Sequence, residues 1–290
     1  MDQPIAALPP LDVHGLLKRF NLHPDRRLGQ NFLVDSGALQ RVVATAAIST
    51  QEAVLEIGPG LGSLTRYLSL AAKNVVAVEL DDRLMPALNQ VLAPYQNVEL
   101  VQGDILALDP VQLMKKTGIS ATPYLVAANI PYYITSALIR HFLETLLPPT
   151  RMVLTVQREV AERICAGPGK LSLLALSVQV YGSPAITTHI PARAFYPEPR
   201  VDSAVVRVDI NPSPFIQSGE LKTFFRLAKA GFSQKRKTLR NALAAGMHWS
   251  PADVSVVLNT VGIDPIRRAE TLSLQEWGAL VRYVQNHDLV

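Results

Sequence analysis

The amino-acid sequence predicts an α/β protein, with a parallel sheet covered by helices on both faces and a small helical domain after it. Three observations lead there. Through the first two-thirds of the chain, short β-rich apolar runs alternate with longer stretches of helical periodicity. Those runs are almost continuously apolar, as strands buried on both faces must be. After Asn211-Pro212-Ser213-Pro214, a natural boundary, only helical patterns continue to Val290.

The parallel strands are expected at 53–57, 75–80, 98–102, 124–128 and 152–156, with helices at 63–72, 82–92 and 136–147 between them. Two further β-like runs, 186–190 and 204–210, flank a proline-rich loop and would close the sheet with an antiparallel strand. The expected division is a sheet domain at 1–211 and a helical domain at 212–290.

With 290 residues, 48% of them hydrophobic and 18% charged, the chain can bury a core of that size. A net charge of +4 leans towards an acidic partner but decides little alone. The single cysteine, Cys165, excludes an internal disulfide and a zinc site built from several thiolates. The histidines show no metal-ligand spacing, so no metal is expected. No apolar run approaches the roughly 20 residues of a membrane span. The N-terminus lacks a basic segment before an apolar one, carries Asp2, and has no Arg before Arg19. The expectation is a cytoplasmic, monomeric protein with no membrane partner.

The strongest local signal is Glu56-Ile57-Gly58-Pro59-Gly60-Leu61-Gly62, at the end of the first strand and opening a helix. Gly58 and Gly60 let the backbone turn sharply and approach a ligand without Cβ obstruction. Glu79 ends the next strand, where a carboxylate can accept both hydroxyls of a ribose. A glycine turn beside a solvated Glu would give the same letters, but both in register favour a nucleoside site in a Rossmann-like sheet. A dinucleotide site would favour G-x-G-x-x-G with a pyrophosphate on the helix N-terminus. The G-x-G-x-G spacing after Glu56 suits S-adenosyl-L-methionine, which carries an amino-acid moiety and no phosphate. That makes the fold a class I methyltransferase sheet. Asp104, after the third strand, could accept from an adenine amine or merely cap the next helix.

Asn129-Ile130-Pro131-Tyr132 follows the fourth strand. An adenine amino nitrogen is a poor nucleophile because its lone pair is delocalised into the ring. The Asn129 side-chain oxygen and the Ile130 or Pro131 carbonyl can accept its two N–H bonds, while Tyr132 stacks on the base. Positioning and polarisation then supply most of the catalysis. No general base is needed if the proton leaves after methyl transfer. A strand-to-helix turn would explain the tetrapeptide alone; its place at the carboxyl end of a strand beside the glycine loop argues for chemistry.

Taken in order, these blocks resemble the ribosomal RNA adenine dimethylases, in particular the bacterial small-subunit enzymes. The resemblance runs from Leu28-Gly29-Gln30-Asn31-Phe32-Leu33 through the motifs above and Gln157-Arg158-Glu159-Val160. It continues in Phe195-Tyr196-Pro197-Glu198-Pro199-Arg200-Val201-Asp202-Ser203 and Phe232-Ser233-Gln234-Lys235-Arg236-Lys237-Thr238-Leu239-Arg240-Asn241. It ends at Gly262-Ile263-Asp264-Pro265 and Arg268-Ala269-Glu270. It implies N6,N6-dimethylation of two adjacent adenosines in the 3′-terminal hairpin of 16S rRNA, on the small ribosomal subunit. It further implies that Asn31 and Leu33 close the cofactor pocket, that Gly58, Glu79, Asp104 and Asn129 contact the cofactor, and that Phe195 sandwiches a flipped base opposite Tyr132. One departure is Leu173-Leu174, where many relatives have Tyr-Gly in a loop.

Lys229, Lys235, Arg236, Lys237 and Arg240 accompany an apolar stripe of Leu221, Phe225, Ala228, Phe232, Leu239 and Ala242. That reads as an amphipathic helix, broken near Gly231, with a basic face able to neutralise phosphates. Arg267 and Arg268 form a second RNA-binding patch. Alternatives are a large-subunit adenine methylase, disfavoured by the Gly262–Glu270 tail, a DNA adenine methylase lacking a target-recognition domain, and a non-catalytic ribosome-assembly factor. Intact Gly58, Glu79, Asp104, Asn129 and Tyr132 argue against the last.

Overall fold

The computed structural model describes residues 8–117, 123–130, 135–145 and 147–289. The chain divides into two compact units, 1–161 with 184–210 and 162–183 with 211–290.

The first unit is built on β1 (Phe32–Leu33), β2 (Ala53–Ile57), β3 (Asn74–Glu79), β4 (Val98–Gln102), β5 (Tyr124–Asn129), β6 (Arg151–Gln157), β7 (Gly182–Ile190), β8 (Phe195–Tyr196) and β9 (Ser203–Ile210). Seven of them form one sheet in the order β4-β3-β2-β5-β6-β9-β7. The β4-β3, β3-β2, β2-β5 and β5-β6 pairs are parallel, and β9 runs antiparallel to β6 with Arg151 opposite Asp209 and Gln157 opposite Ser203. The antiparallel closure expected from the two late β-like runs is therefore present. Every residue of β2 is buried, whereas β4 at the edge exposes Glu99 and Gln102 and buries none of its residues fully. This follows from position, since only the central strands have helices on both faces and strands on both sides.

Helices α1 (Val13–Arg19), α2 (Ser36–Ala46), α3 (Ser63–Ala71), α4 (Met85–Leu92), α5 (Pro110–Lys116) and α6 (Thr135–Leu143) complete this unit, with α7 (Arg158–Ile164) leaving it. The Asp35 side chain caps α2 by accepting from the Ala38 amide, and Asp109 caps α5 through the Val111 amide. The expected helix at 82–92 is a 3₁₀ turn followed by α4, because Pro86 has no N–H to continue a helix through that point. On one face of the sheet Leu39, Val42, Val43 and Leu68 pack on Val54, Leu125 and Val153. β2 has β3 on one side and β5 on the other, so the order reverses there and a crevice opens at the strands' carboxyl ends.

The second unit holds α8 (Leu173–Gln179), α9 (Leu221–Phe232), α10 (Leu239–Met247), α11 (Pro251–Thr260) and α12 (Leu274–Asn286). Trp277 is fully buried at its centre, and a Cβ at Gly231 would come within 2.8 Å of that ring. Gly231 itself is a packing glycine inside α9, and the break expected near it follows one residue later. The helix ends at Phe232, and Lys235, Arg236 and Lys237 lie in the turn before α10 rather than on a helix face. The buried stripe of α9 is Phe224, Leu227, Ala228 and Gly231, with Phe225 half-exposed.

Residues 162–183, expected in the sheet domain, sit with the C-terminal helices instead. The Gly169 and Leu171 amides donate to the Glu270 carbonyl, and Tyr181 stacks on Phe225 with centroids 6.5 Å apart. These are long-range bonds that no periodicity announces. Leu173 and Leu174 form the first turn of α8, capped by Ser172, so they stand in a helix and not in a loop. Among the described residues no helix is long and apolar enough to cross a membrane.

Candidate active site

The crevice at the carboxyl ends of β2, β3 and β5 is a cavity of about 1020 Å³, counting the space open to solvent at its mouth. Its floor is the 56–60 loop, Glu79 and Leu80 stand on one side, and Gly103 to Ile105 and Asn129-Ile130 on the others. The N-terminal segment 28–33 covers it. That segment is latched by Gln30, whose side-chain amide donates to Asp81 at 2.7 Å and accepts from the Asp25 amide at 2.7 Å. Arg83 hydrogen-bonds the same carboxylate and holds Asp81 below the usual carboxylate range.

Gly58 and Gly60 have φ of +67° and +62°, in the left-handed region that favours glycine. A Cβ at Gly60 would approach Phe32 to 2.8 Å, so the loop and covering strand touch there. A Cβ at Gly58 would meet nothing within 4 Å, so the backbone at this point is open to a ligand. Glu79 shapes the loop: it accepts from the Gly60 amide and the Asp81 amide, each at 2.9 Å. Burial is the main cause that pushes its pKa up, opposed by those amides.

Glu56 opens the glycine motif, and its part in the site emerges only from its burial. It is 1% exposed, and its Oε2 finds no hydrogen-bond partner among the described residues. Burial, aided by the nearby Glu79 charge, pushes its pKa up to about 8. The signal in the sequence is a carboxylate inside the otherwise apolar run Ala53–Ile57. Glu56 on the floor and Glu79 on one side put two buried carboxyls around the cavity, and the open backbone at Gly58 leaves a ligand room. A raised pKa means that Glu56 contributes stability below about pH 4.5 that is lost as pH rises through about 8. The ligand-free protein should therefore melt progressively lower between those values, relative to Glu56→Gln. Parallel melting curves across that range would show that Glu56 titrates as an ordinary carboxylate.

Asn129 ends β5, and its Nδ2 donates to the Asn31 carbonyl at 3.0 Å, leaving Oδ1 as the acceptor. The Ile130 amide donates to the Thr155 carbonyl at 3.1 Å, which fixes the Asn129–Ile130 peptide. Asn31 donates to the Gly29 carbonyl, and Leu33 is buried where the segment meets the core. Asp104 is exposed at the rim; its Oδ1 accepts from the Leu106 amide. Gly58, Gly60, Glu79, Asp104, Asn31, Leu33 and Asn129 are thus gathered around one cavity. Pro131 and Tyr132 lie outside the described residues. Phe195 is not among the residues lining the cavity. It pairs with Leu33 across the β1-β8 ribbon and is 4% exposed in the apolar core, and strand alternation turns Tyr196 outward instead.

In the second unit Lys235, Arg236, Lys237 and Arg268 are exposed, and Arg240 is half-buried. The Leu239 and Arg240 amides donate to the Arg267 and Pro265 carbonyls, so the turn and the 264–268 loop adjoin. Arg267 is the exception in this group. Its guanidinium binds Glu276 and the Thr271 carbonyl, so its charge is already neutralised within the fold.

A glycine loop at the switch point of a parallel sheet, an acid ending the next strand and an Asn at the rim define a Rossmann-like class I methyltransferase domain. A family model described as ribosomal RNA adenine dimethylase matches residues 21–285. The chain belongs to that ribosomal RNA adenine dimethylase family. It is 44% identical to ribosomal RNA small subunit methyltransferase A of Dehalococcoides mccartyi (strain CBDB1) over 91% of this chain and 90% of that protein. Identity to the like-named protein of Bacillus mycoides is 37%, over 94% and 96%. Among solved structures, 23S rRNA methyltransferase ErmE superposes with a TM-score of 0.70 at 26% identity, over 88% of this chain and all of that one. A dimethyladenosine transferase from Plasmodium falciparum has a TM-score of 0.76 at 24% identity over 89% and 98%, a likeness of fold.

Replacing Glu79 by Ala should weaken S-adenosylmethionine binding by about 1.5–3 kcal/mol, the worth of hydrogen bonds to a charged acceptor. Calorimetry on the folded variant checks this, and unchanged affinity would remove Glu79 from the ligand site.

Proposed function

We propose that this protein uses S-adenosyl-L-methionine to dimethylate the exocyclic amine of two adjacent adenosines in the 3′-terminal hairpin of 16S rRNA, during small-subunit biogenesis. The observation that carries the reading is the Asn129 amide, held by the Asn31 carbonyl beside the glycine loop with its oxygen left to accept. The small-subunit relatives at 37–44% identity support this substrate over the large-subunit one.

When bound, the cofactor supplies a methyl group on a sulfonium leaving group. Glu79 accepts from its ribose, Asp104 from its adenine amine, and the Glu56–Gly60 floor holds the amino-acid end, with Asn31 and Leu33 covering it. Asn129 Oδ1 and the Ile130 or Pro131 carbonyl accept the two N–H bonds of the target amine. This localises the nitrogen lone pair and aims it at the cofactor. Tyr132 stacks on the base. The fixed positions of these acceptors mean that little reorganisation is needed as charge develops on nitrogen. The proton leaves to water after transfer, so no side chain serves as base. Phe195 supports the wall behind the ribbon. The helical unit binds RNA through Lys235, Arg236, Lys237, Arg240 and Arg268, and Arg267 positions their loop. The protein acts as a cytoplasmic monomer.

The test is methyl transfer onto unmodified small subunits, with the product mapped by mass spectrometry. Dimethyladenosine at two adjacent positions of the 3′-terminal hairpin is the expected result. Cofactor binding by calorimetry with no transfer would favour the assembly-factor reading.

A further inference from the structure

On the first unit the Tyr196 and His14 side chains meet edge to face, with ring centroids 5.7 Å apart and planes at 89°. His14 Nδ1 lies 3.2 Å from the Tyr196 hydroxyl. The Tyr196 ring is thereby held in one orientation while 38% exposed. Its place in the ribbon gives it a use. Tyr196 pairs with Phe32, the neighbour of Asn31, whose carbonyl holds the Asn129 amide. Register partners lie about 5 Å apart and successive Cα atoms about 3.8 Å, so Tyr196 is on the order of 10 Å from that carbonyl. A nucleotide next in sequence to one whose amine sits at Asn129 reaches this far.

The charges beside the ring pair agree. His14 is followed one helical turn later by exposed Lys18 and then Arg19, and exposed Arg193 and Arg200 lie on either side of Tyr196 in the chain. Among the described residues none of these four cations forms an ion pair. The acids in the same two segments are Asp12, whose side chain caps α1, and exposed Glu198. The balance suits a polyanion carrying bases, and aromatic faces flanked by cations are how single-stranded RNA is held.

We infer that the Tyr196 ring, oriented by His14, stacks on the nucleotide adjoining the target adenosine, while Lys18, Arg19, Arg193 and Arg200 meet the flanking phosphates. The inference rests on the proposed methyl transfer to rRNA and adds a contact outside the cavity that selects the neighbour. It is tested by steady-state kinetics of Tyr196→Ala, Tyr196→Leu and Tyr196→Trp on unmodified small subunits. Loss of one base stack should raise the subunit KM roughly 5- to 100-fold for Ala and Leu, with Trp within about twofold of wild type. Tm and cofactor affinity should not change, because the side chain is exposed and outside the cavity. A normal KM for Tyr196→Ala overturns the inference and leaves the enzymatic reading standing. Rescue by Leu would also overturn it, since an apolar contact with a protein would then suffice. If wild type binds cofactor yet transfers nothing, the enzymatic reading fails. Filter binding of subunits then decides the inference separately, equal affinity for wild type and Tyr196→Ala refuting it.

Discussion

Replacing Asn129 by Ala is expected to lower methyl transfer by roughly 100- to 1000-fold, the scale for removing one preorganised polar group from a reaction centre. Cofactor affinity should fall far less. The Asn129 amide is fixed by the Asn31 carbonyl, so its oxygen meets the target amine without reorganising. An interaction made mainly as the nitrogen pyramidalises appears in kcat and in kcat/KM alike, and not in the binding of the cofactor. Single-turnover transfer at saturating cofactor, beside calorimetric affinity, separates the two effects. Equal losses in both would reduce Asn129 to a ligand-binding residue.

A comparably large effect is expected from Lys235→Gln, Arg236→Gln and Lys237→Gln combined. All three are exposed in the turn between α9 and α10. For every phosphate that the variant no longer neutralises, the slope of log affinity against log salt should fall by about 0.7–0.9, so affinity for subunits drops most at low salt. Cofactor affinity should hold, since these residues belong to the helical unit and the cavity to the other. An unchanged slope in the folded variant would make the turn a solvated loop. The footprint would then move to Arg268 and not to Arg267, whose charge Glu276 already answers.

Much of this is legible in the letters because the signals are local. Buried parallel strands announce themselves as largely apolar runs, as 53–57 does, and the edge run 98–102 also matches its observed strand end to end. The Gly58-Pro59-Gly60 turn and the Asn129 position follow from strand ends that such runs define. The departures have one kind of cause. That Gly231 itself stays helical, one residue before α9 ends, shows only when Trp277 is seen against it. Residues 162–183 look like part of the sheet domain until Glu270 is seen binding their amides. Arg267 looks like a free cation until Glu276 is placed beside it.

By itself the sequence determined the sheet, its closing antiparallel strand, the helical tail and the strand-end places of Gly58, Gly60, Glu79 and Asn129, because period, glycine and strand-end position are properties of neighbours along the chain. The tertiary structure alone decided which of Phe195 and Tyr196 faces outward, that Gln30 latches the covering segment to Asp81, and that Glu56 keeps an oxygen without a hydrogen-bond partner among the described residues on the cavity floor. Those depend on the register of one strand against another and on burial by residues remote in sequence. Both set the free energy of a polar or aromatic group, and neither is encoded in its neighbours.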